Sequence, residues 1–165
     1  MTSLVPLLLS AASLLTPAGE KGVVLLFVRT DCPISNRYAP ELERLSETWS
    51  PRGFEFVLVY PEAGLTEAAM KEHGRTYGYR MRAVLDADHQ YVDRAKVVVT
   101  PEAAVFVEGK LIYTGRIDDW FFDFGRSRPH AQHHDLEDVL AAIAAGKVPE
   151  YRETKAIGCA IEKLK

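Results

Sequence analysis

Two apolar runs on either side of one helical pattern constrain the fold of this chain more than any other feature. Val23 to Val28 is a continuous apolar run rich in β-branched residues, and Phe54 to Tyr60 is a second largely apolar run. Such runs are typical of strands that are buried on both faces of a sheet. Between them, apolar residues recur at every third or fourth position from Pro33 to Trp49, which predicts a helix. The strand–helix–strand order predicts a mainly parallel sheet with helices on both faces.

The later elements continue this alternation and then change to a hairpin. Glu108 and Gly109 separate two apolar runs, which is a hairpin signal. The elements predicted after the second strand are a helix over 66–77, a short apolar stretch over 83–85, a brief helical segment ending near 96, hairpin strands over 103–107 and 110–114, and a helix over 135–145. Because a hairpin is antiparallel, the sequence predicts an α/β fold with a mixed central sheet flanked by helices.

The predicted elements define one domain with an extension at each end. The last helix ends at Gly146, so we place the domain at residues 20–146 and a C-terminal tail at residues 147–165. Residues 1–19 contain an apolar run, Leu4 to Leu15, of signal-peptide length, but no Lys or Arg precedes it. Two interpretations stay open. A signal segment would favour a periplasmic or other extracytoplasmic location over a cytoplasmic one, and the alternative is an apolar N-terminal arm.

Composition argues against several classes of function. The formal net charge is −3 and the basic residues are scattered, whereas a nucleic-acid partner usually requires a basic face. The two cysteines are too few for a disulfide scaffold or a four-thiolate zinc site, but they suffice for one redox couple. His130, His133 and His134 are typical of a solvated loop, with a transition-metal site as the alternative. No metal site and no organic cofactor are predicted.

Cys32 stands where the first predicted strand meets the first predicted helix. At the N-terminal end of a helix, free N–H groups and the positive end of the dipole favour a thiolate. Arg29 would add to this effect and Asp31 would oppose it. A partly exposed thiolate is a nucleophile toward disulfides and peroxides, so Cys32 is the candidate nucleophile. The alternative is a buried, inert cysteine, which is common for this residue type.

Two segments of the chain resemble a known family. They are LLFVRTDCPISNRYAPELERL (25–45) and VTPEAAVFVEGKLIYTGRID (99–118). Over residues 22–146 the chain resembles thioredoxin-fold proteins of the redoxin or peroxiredoxin-like (AhpC/TSA) branch. The resemblance implies a thioredoxin-like fold with Cys32 as the nucleophile. It also implies a cis peptide bond at Pro101, beside the active-site cysteine, and a backbone contact from Thr100 to a bound substrate chain.

The chain departs from particular members of this group at three positions. A dithiol thioredoxin would have its second cysteine at Ser35, and a copper chaperone of the Sco type would have one at Asn36. A peroxiredoxin usually has threonine three residues before its reactive cysteine; that place holds Arg29, and Thr30 is one residue too close. We expect Ser35 and Asn36 to donate hydrogen bonds that stabilise the Cys32 thiolate. The other residues predicted to support the site are Thr30, Asp31, Pro33 and Arg116.

Cys159 is the remaining candidate partner for Cys32. It lies in a mostly apolar stretch beyond the last helix, and such a tail could fold back over the strand–helix junction. Peroxiredoxins with a C-terminal resolving cysteine place it in a similar tail. Our hypothesis is that Cys32 attacks and Cys159 resolves, within the chain or across a homodimer. The alternatives are a static structural disulfide and an unpaired tail thiol.

These predictions favour a thiol–disulfide oxidoreductase of the redoxin type. Its partners would be a protein thiol or disulfide, or a peroxide, with an external thiol as electron donor. One alternative is a thiol peroxidase of the peroxiredoxin kind. Another is a thioredoxin-fold module that binds a metal or a protein without turnover.

Overall fold

The structure, a computed structural model, describes residues 21–164. The predicted signal segment or arm at residues 1–19 lies outside the described residues. The elements are, in chain order, β1 (Gly22–Phe27), α1 (Pro33–Trp49), a 3₁₀ turn (Ser50–Arg52), β2 (Phe54–Tyr60), α2 (Glu67–Tyr77), β3 (Arg82–Leu85), α3 (Gln90–Ala95), β4 (Val99–Thr100), β5 (Glu102–Val107), β6 (Lys110–Gly115), β7 (Phe121–Asp123), β8 (Arg126–Ser127), α4 (Asp135–Ala144), β9 (Arg152–Glu153) and β10 (Cys159–Ala160).

A six-stranded mixed sheet forms the centre of the described domain, with the strand order β3-β2-β1-β5-β6-β9. Strands β1, β2 and β3 are parallel neighbours, as expected for strands joined through helices. Strand β5 runs antiparallel to both β1 and β6, and β5 and β6 form the predicted hairpin. Strand β9, from the tail, lies parallel to β6 at one edge. The predicted α/β architecture with a mixed central sheet is confirmed.

Helices cover both faces of this sheet, and the residues of β1 alternate between the two cores. Val24 and Leu26 belong to a core shared with α1, α2 and α4, whereas Val23 and Leu25 belong to a core shared with α3. All four are at most 1% exposed, which explains why the run that encodes β1 is apolar at every position. Between residues 21 and 164, no helix has both the length and the apolar character needed to cross a membrane.

A short turn from β1 into α1 positions the candidate nucleophile. Cys32 is the N-cap residue, and its sulfur accepts a hydrogen bond from the Ser35 N–H. Pro33 follows in the first turn, where its missing N–H leaves no helical hydrogen bond unmade. The face of α1 that packs on the sheet consists of Ile34, Tyr38, Leu42, Leu45 and Trp49. Burial of this face fixes the rotation of α1, and thereby the position of Cys32.

The C-terminal tail folds back over the domain and pairs with it at two points. Strand β9 extends the central sheet, and β10 pairs with β4 with Cys159 opposite Thr100. Two glycines permit this close approach, since a Cβ at Gly115 would overlap Thr154 and a Cβ at Gly158 would overlap Thr100. Each of the two tail strands is only two residues long. Strands this short give no periodic signal in the sequence, and the sequence analysis did not find them.

Candidate active site

Cys32 lies at the N-terminus of α1, against the loop that precedes β5. It is fully buried. Its sulfur lies 3.5 Å from the backbone nitrogen of Ser35, which donates to it, and 3.1 Å from the carbonyl oxygen of Thr100, to which a thiol donates. Thr100 precedes Pro101, and the peptide bond between them is cis. The structure therefore brings together the two segments that carry the resemblance described above.

Cys159 meets Cys32 from the C-terminal tail. Strand β10 places Cys159 opposite Thr100, the residue whose carbonyl oxygen contacts the Cys32 sulfur. Cys159 packs against the core cluster that contains Cys32, and the two thiols are near enough for each to shift the pKa of the other. Both cysteines are free thiols, and Cys159 is partly exposed whereas Cys32 is covered. The tail thus closes the site and places a second sulfur beside the first.

The surroundings separate the pKa values of these two thiols. Burial by itself raises the pKa of Cys32, but hydrogen bonds from Cys159 and Ser35 outweigh it and hold that pKa below its usual value. Burial, the hydrogen bond to Cys32 and the charge of the Cys32 thiolate raise the pKa of Cys159 to about 12. Cys32 therefore ionises first, and Cys159 keeps its proton for as long as Cys32 carries the charge.

Two buried hydroxyl groups flank Cys32. The Oγ of Ser35 and the Oγ1 of Thr100 have no partner with normal hydrogen-bond geometry among residues 21–164, and both residues are fully buried. The Ser35 hydroxyl nevertheless lies near enough to the Cys32 sulfur to lower its pKa. Ser35 occupies the place where a dithiol thioredoxin would have its second cysteine. Here it is placed to donate to a thiolate instead.

Arg29 contacts the tail and a neighbouring carboxylate. Its guanidinium forms two hydrogen bonds of 3.1 Å with Asp31 and a third of 3.1 Å with the carbonyl oxygen of Ala160. The Arg29 side chain is only 17% exposed. The sequence analysis expected Arg29 and Asp31 to act on the thiolate in opposite directions. The structure pairs their charges with each other, and Arg29 also binds the residue that follows Cys159.

A chain of hydrogen bonds supports the loop between β1 and α1. Glu62, just after β2, accepts hydrogen bonds from the backbone N–H and the hydroxyl group of Thr30. The Nδ2 group of Asn36 donates to the Thr30 carbonyl oxygen at 3.1 Å, so Asn36 supports the loop rather than donating from its side chain to the Cys32 sulfur. Thr30 and Asn36 therefore hold the position of Cys32 through the backbone.

His73 continues this chain into the core. Its Nε2 lies 2.9 Å from the Oδ1 of Asn36, and its Nδ1 lies 2.8 Å from the hydroxyl oxygen of Tyr60. Because Asn36 donates through Nδ2, its Oδ1 must accept, which places the His73 proton on Nε2. Burial lowers the pKa of His73 and so favours the neutral ring. A neutral His73 with this tautomer satisfies both of its neighbours.

Glu102 fixes the backbone on which the tail pairs. Its carboxylate accepts hydrogen bonds from the N–H groups of Val98, at 2.8 Å, and Val99, at 3.2 Å. Burial raises the pKa of Glu102, and these two hydrogen bonds oppose that rise. The carbonyl oxygen of Val98 accepts a hydrogen bond from the backbone nitrogen of Ile161 at 3.0 Å. Glu102 thus holds N–H groups of the stretch before Pro101, and the Val98 carbonyl oxygen of the same stretch binds the tail.

Arg116 lies in a different cluster. Its Nε donates to the buried carboxylate of Asp135 at 2.7 Å, and Arg152 donates to the other oxygen of that carboxylate at 2.8 Å. These contacts tie the end of β6 to the start of α4 and to β9. The structure therefore places Arg116, predicted to support the site, at an ion-pair cluster rather than beside Cys32.

The histidine run of the sequence contributes one residue to a surface cluster. Among residues 21–164, the side chains of Glu41, His134 and Glu137 have the spacing of metal ligands. Arg44 already pairs with both glutamates, at 2.6 Å and 2.8 Å. Cys32 does not belong to this group. The cluster is thus explained by the ion pairs of Arg44.

The family of the chain follows from comparison with known proteins. The model of the AhpC/TSA family matches residues 10–114, which is more than half of the chain. This chain belongs to the AhpC/TSA family. A comparison with curated proteins found no match.

Solved structures share the fold of this AhpC/TSA protein. An uncharacterized conserved protein from Geobacillus kaustophilus has 23% sequence identity and a TM-score of 0.72, covering 87% of this chain and 77% of that one. A secreted disulfide oxidoreductase from Mycobacterium tuberculosis, homologous to DsbE of E. coli, has 20% identity and a TM-score of 0.52, covering 81% and 85%. An uncharacterized thioredoxin-like protein from Porphyromonas gingivalis has 18% identity and a TM-score of 0.53, covering 80% and 78%. The fold is thioredoxin-like, as the sequence predicted.

Sequence reasoning missed the support beneath the AhpC/TSA site. Thr30 lies just after β1 and Glu62 lies just after β2. Because the C-terminal ends of neighbouring parallel strands lie at the same edge of a sheet, the contact between these two residues could have been predicted from the sequence. His73 had a weaker signal, since it lies three residues after Met70 on the buried face of α2. Nothing in the sequence indicated that Tyr60 would be its partner.

Proposed function

We propose that this AhpC/TSA protein is a thiol–disulfide oxidoreductase whose redox couple is Cys32 and Cys159. One observation carries the proposal: strand β10 pairs Cys159 with Thr100, whose carbonyl oxygen lies 3.1 Å from the Cys32 sulfur, so the tail carries a second thiol to the first. The pair replaces the two cysteines of a dithiol motif, with the second sulfur supplied from the tail instead of from the position of Ser35.

In the first step, the Cys32 thiolate attacks one sulfur of a disulfide in the oxidised partner. A new bond forms between Cys32 and that sulfur, and the partner's other sulfur leaves as a thiolate and takes up a proton. Thiolate is the reactive form, and the N-terminus of α1 favours it together with Ser35. The tail moves aside in this step because Cys32 is fully buried beneath it.

In the second step, Cys159 attacks Cys32 and releases the partner's first sulfur as a thiolate. Burial contributes most to raising the pKa of Cys159 to about 12, and the hydrogen bond to Cys32 and the charge of the Cys32 thiolate raise it further. Once Cys32 is held in a disulfide, that charge is gone, and the pKa of Cys159 falls toward its usual value. Cys159 therefore becomes nucleophilic when it is needed. The products are a Cys32–Cys159 disulfide and a partner reduced by two electrons.

An external dithiol regenerates the protein. Its thiolate attacks the Cys159 sulfur, which is partly exposed, and Cys32 leaves as the thiolate. A sulfur of lower pKa is the better leaving group, so the low pKa of Cys32 serves this step as well. The second thiol of the donor then releases Cys159 and closes the donor's own disulfide.

Turnover by cysteine variants tests this proposal. The reduction of insulin disulfides by dithiothreitol is followed with catalytic amounts of the full chain. We expect the wild type to accelerate the reaction, Cys32→Ser to be inactive, and Cys159→Ser to accumulate a mixed disulfide with insulin and turn over slowly. Activity of Cys32→Ser equal to that of the wild type would contradict the proposal.

A thiol peroxidase is the second candidate, and the burial of Cys32 favours it. A peroxide is small enough to reach a covered sulfur more easily than a protein disulfide. The Cys32 thiolate would take one oxygen to become a sulfenic acid, releasing water or an alcohol, and Cys159 would condense with it, releasing water. This route ends at the same Cys32–Cys159 disulfide. Loss of the Cys32 thiol to hydrogen peroxide much faster than for free cysteine would support it, and a rate equal to that of free cysteine would exclude it.

A further inference from the structure

A cavity of about 640 Å³ lies between α2 and the sheet, and neither Cys32 nor Cys159 lines it. Its walls come from α2, from β2 and β3, and from the segment that joins α2 to β3. Strand β3 is the edge strand on this side of the central sheet. Small-molecule sites have volumes of about 300–1,000 Å³, so this cavity is large enough to hold a small molecule.

A missing side chain on α2 leaves part of this space open. Met70 is buried in the core, and Gly74 lies one turn after it on the same side of the helix. A Cβ at Gly74 would meet no atom within 4 Å. Glycine is unfavourable in a helix interior compared with alanine, and no close contact requires it here. Close packing therefore does not account for Gly74.

The interior of the cavity is apolar and adaptable. Leu58 and Tyr60, which are fully buried, contribute to it from β2. Met70 and Met81 also line it, and they are two of the three methionines in the chain. Methionine is unbranched and polarizable, so its side chain can adjust to the shape of an apolar group. The interior is therefore suited to a flexible apolar ligand.

Two cations stand at the mouth of the cavity. Lys71 and Arg75 are exposed and lie one turn apart on α2. Among residues 21–164, no Asp or Glu lines this cavity. Lys71 pairs with Glu67 and Arg75 pairs with Glu72, but all four side chains are well exposed, and exposed ion pairs contribute little. An anion at the mouth can therefore compete for both cations.

We propose that this cavity binds an apolar monocarboxylate, with its alkyl chain in the interior and its carboxylate between Lys71 and Arg75. The alkyl chain leaves water for the apolar interior, and the carboxylate meets two positive charges without a carboxylate of the protein beside it. This site goes beyond the proposed thiol chemistry and does not depend on it.

The methyl resonances of ¹³C-labelled methionine test the site on the full chain, because Met70 and Met81 report from inside the cavity. Each resonance is assigned with the variants Met70→Leu and Met81→Leu. The probe is decanoate, kept below the concentration at which it forms micelles. Decanoate should shift both resonances and saturate them, and it should bind about tenfold or more tightly than butanoate, which has the same head and a shorter chain. Absence of a saturable shift, or equal affinity for the two acids, would overturn the inference.

Two variants test the interior and the mouth separately. Gly74→Leu fills the open space and favours the helix, so the chain should fold and bind decanoate about tenfold or more weakly; Gly74→Ala should have a smaller effect. Lys71→Gln combined with Arg75→Gln should weaken decanoate about fivefold and leave the affinity for decanol unchanged. Lys110→Gln, an exposed cation away from the cavity, is the control and should change neither affinity. A decanoate affinity within about twofold of the wild type in Gly74→Leu or in the double variant would overturn the inference.

Discussion

Gly158→Ala should release the tail and expose Cys32, because the added methyl group has no room against Thr100. A Cβ at position 158 would lie 2.6 Å from the Thr100 carbonyl carbon, whereas nonbonded carbon atoms pack at about 3.5–4.0 Å. Thr100 is fully buried against Cys32, so the tail must yield instead. A shift of about 1 Å breaks the alignment of the tail with its hydrogen-bond partners on the domain.

The size of the effect follows from the contacts that are lost. The hydrogen bond from Ile161 to Val98 joins neutral groups and contributes about 0.5–1.5 kcal/mol. The hydrogen bond from Arg29 to Ala160 involves a charge, is partly exposed to water, and contributes about 1.5 kcal/mol. Together they favour the closed tail by about 2–3 kcal/mol, which corresponds to about a 30- to 150-fold change in the population of the open tail.

Alkylation by iodoacetamide measures this population, because the reagent must reach the Cys32 sulfur. In a Cys159→Ser chain, in which only Cys32 can react, adding Gly158→Ala should raise the rate of alkylation about 30-fold or more. The matched control is Gly74→Ala, a glycine in α2 at which an added Cβ meets nothing within 4 Å. The control should leave the rate unchanged. A rate with Gly158→Ala within about twofold of its parent would refute the account of how the tail closes the site.

Four further predictions concern the thiol pair and the core beneath it. Cys159→Ala removes a hydrogen-bond donor to the Cys32 thiolate, so the pH midpoint of Cys32 alkylation should move upward; an unchanged or lower midpoint would contradict the assigned cause of the low pKa of Cys32. His73→Phe leaves the buried hydroxyl of Tyr60 without its partner and should lower the free energy of unfolding in urea by about 1–3 kcal/mol. Adding Tyr60→Phe to His73→Phe should restore part of this loss, and a double variant whose loss equals the sum of the two single-variant losses would argue against the contact. Burial lowers the pKa of His73 in the folded chain, so below a pH of about 6.5 the unfolded chain binds a proton at His73 more readily than the folded chain does. The free energy of unfolding of the wild type should therefore fall from pH 7 to pH 5 more steeply than that of His73→Phe. Equal pH dependence of the two free energies would count against a neutral buried His73. Leu42→Ala deletes a fully buried side chain from the face of α1 and should cost about 2–5 kcal/mol in the same urea measurement, whereas a loss below about 1 kcal/mol would show that this face is loosely packed.

The parts of the site that depend on residues close together in the chain could be predicted from the sequence. The apolar run of β1, the position of Cys32 at the start of α1 and the hairpin after Pro101 all follow from short stretches of pattern. Parallel pairing of β1 and β2 followed from the helix between them. Each of these features is decided by residues that are close in the chain, and the structure has them within one or two residues of the predicted bounds.

The position of the tail could not be predicted, because contacts between distant residues decide it. The sequence indicated that Cys159 could return to Cys32, but it gave neither the strand register nor the contact between Gly158 and Thr100. Both tail strands are too short for a periodic pattern, and a glycine that permits a close approach resembles one that forms a turn. The tail also carries no conventional turn or helix signal that would fix its direction.

Charged residues were the hardest to place from the sequence. Arg29 has Asp31 two residues away, and the two charges form an ion pair instead of lying separately beside the thiolate. Arg116 follows the hairpin closely, yet its partner Asp135 lies at the start of α4. Long side chains reach several neighbours, so their partners depend on how the elements pack rather than on the local sequence.

The central claim is that Cys32 and Cys159 form one redox couple within the chain, and the mass of the protein tests it directly. The full chain is oxidised mildly at low concentration, then analysed without reductant for mass, free thiols and linked peptides. The account predicts a monomer that has lost two hydrogen atoms and both free thiols, with a single bond between the peptides of Cys32 and Cys159. A chain that keeps both thiols, or whose Cys32 stops at the sulfenic acid while Cys159 stays free, would contradict it.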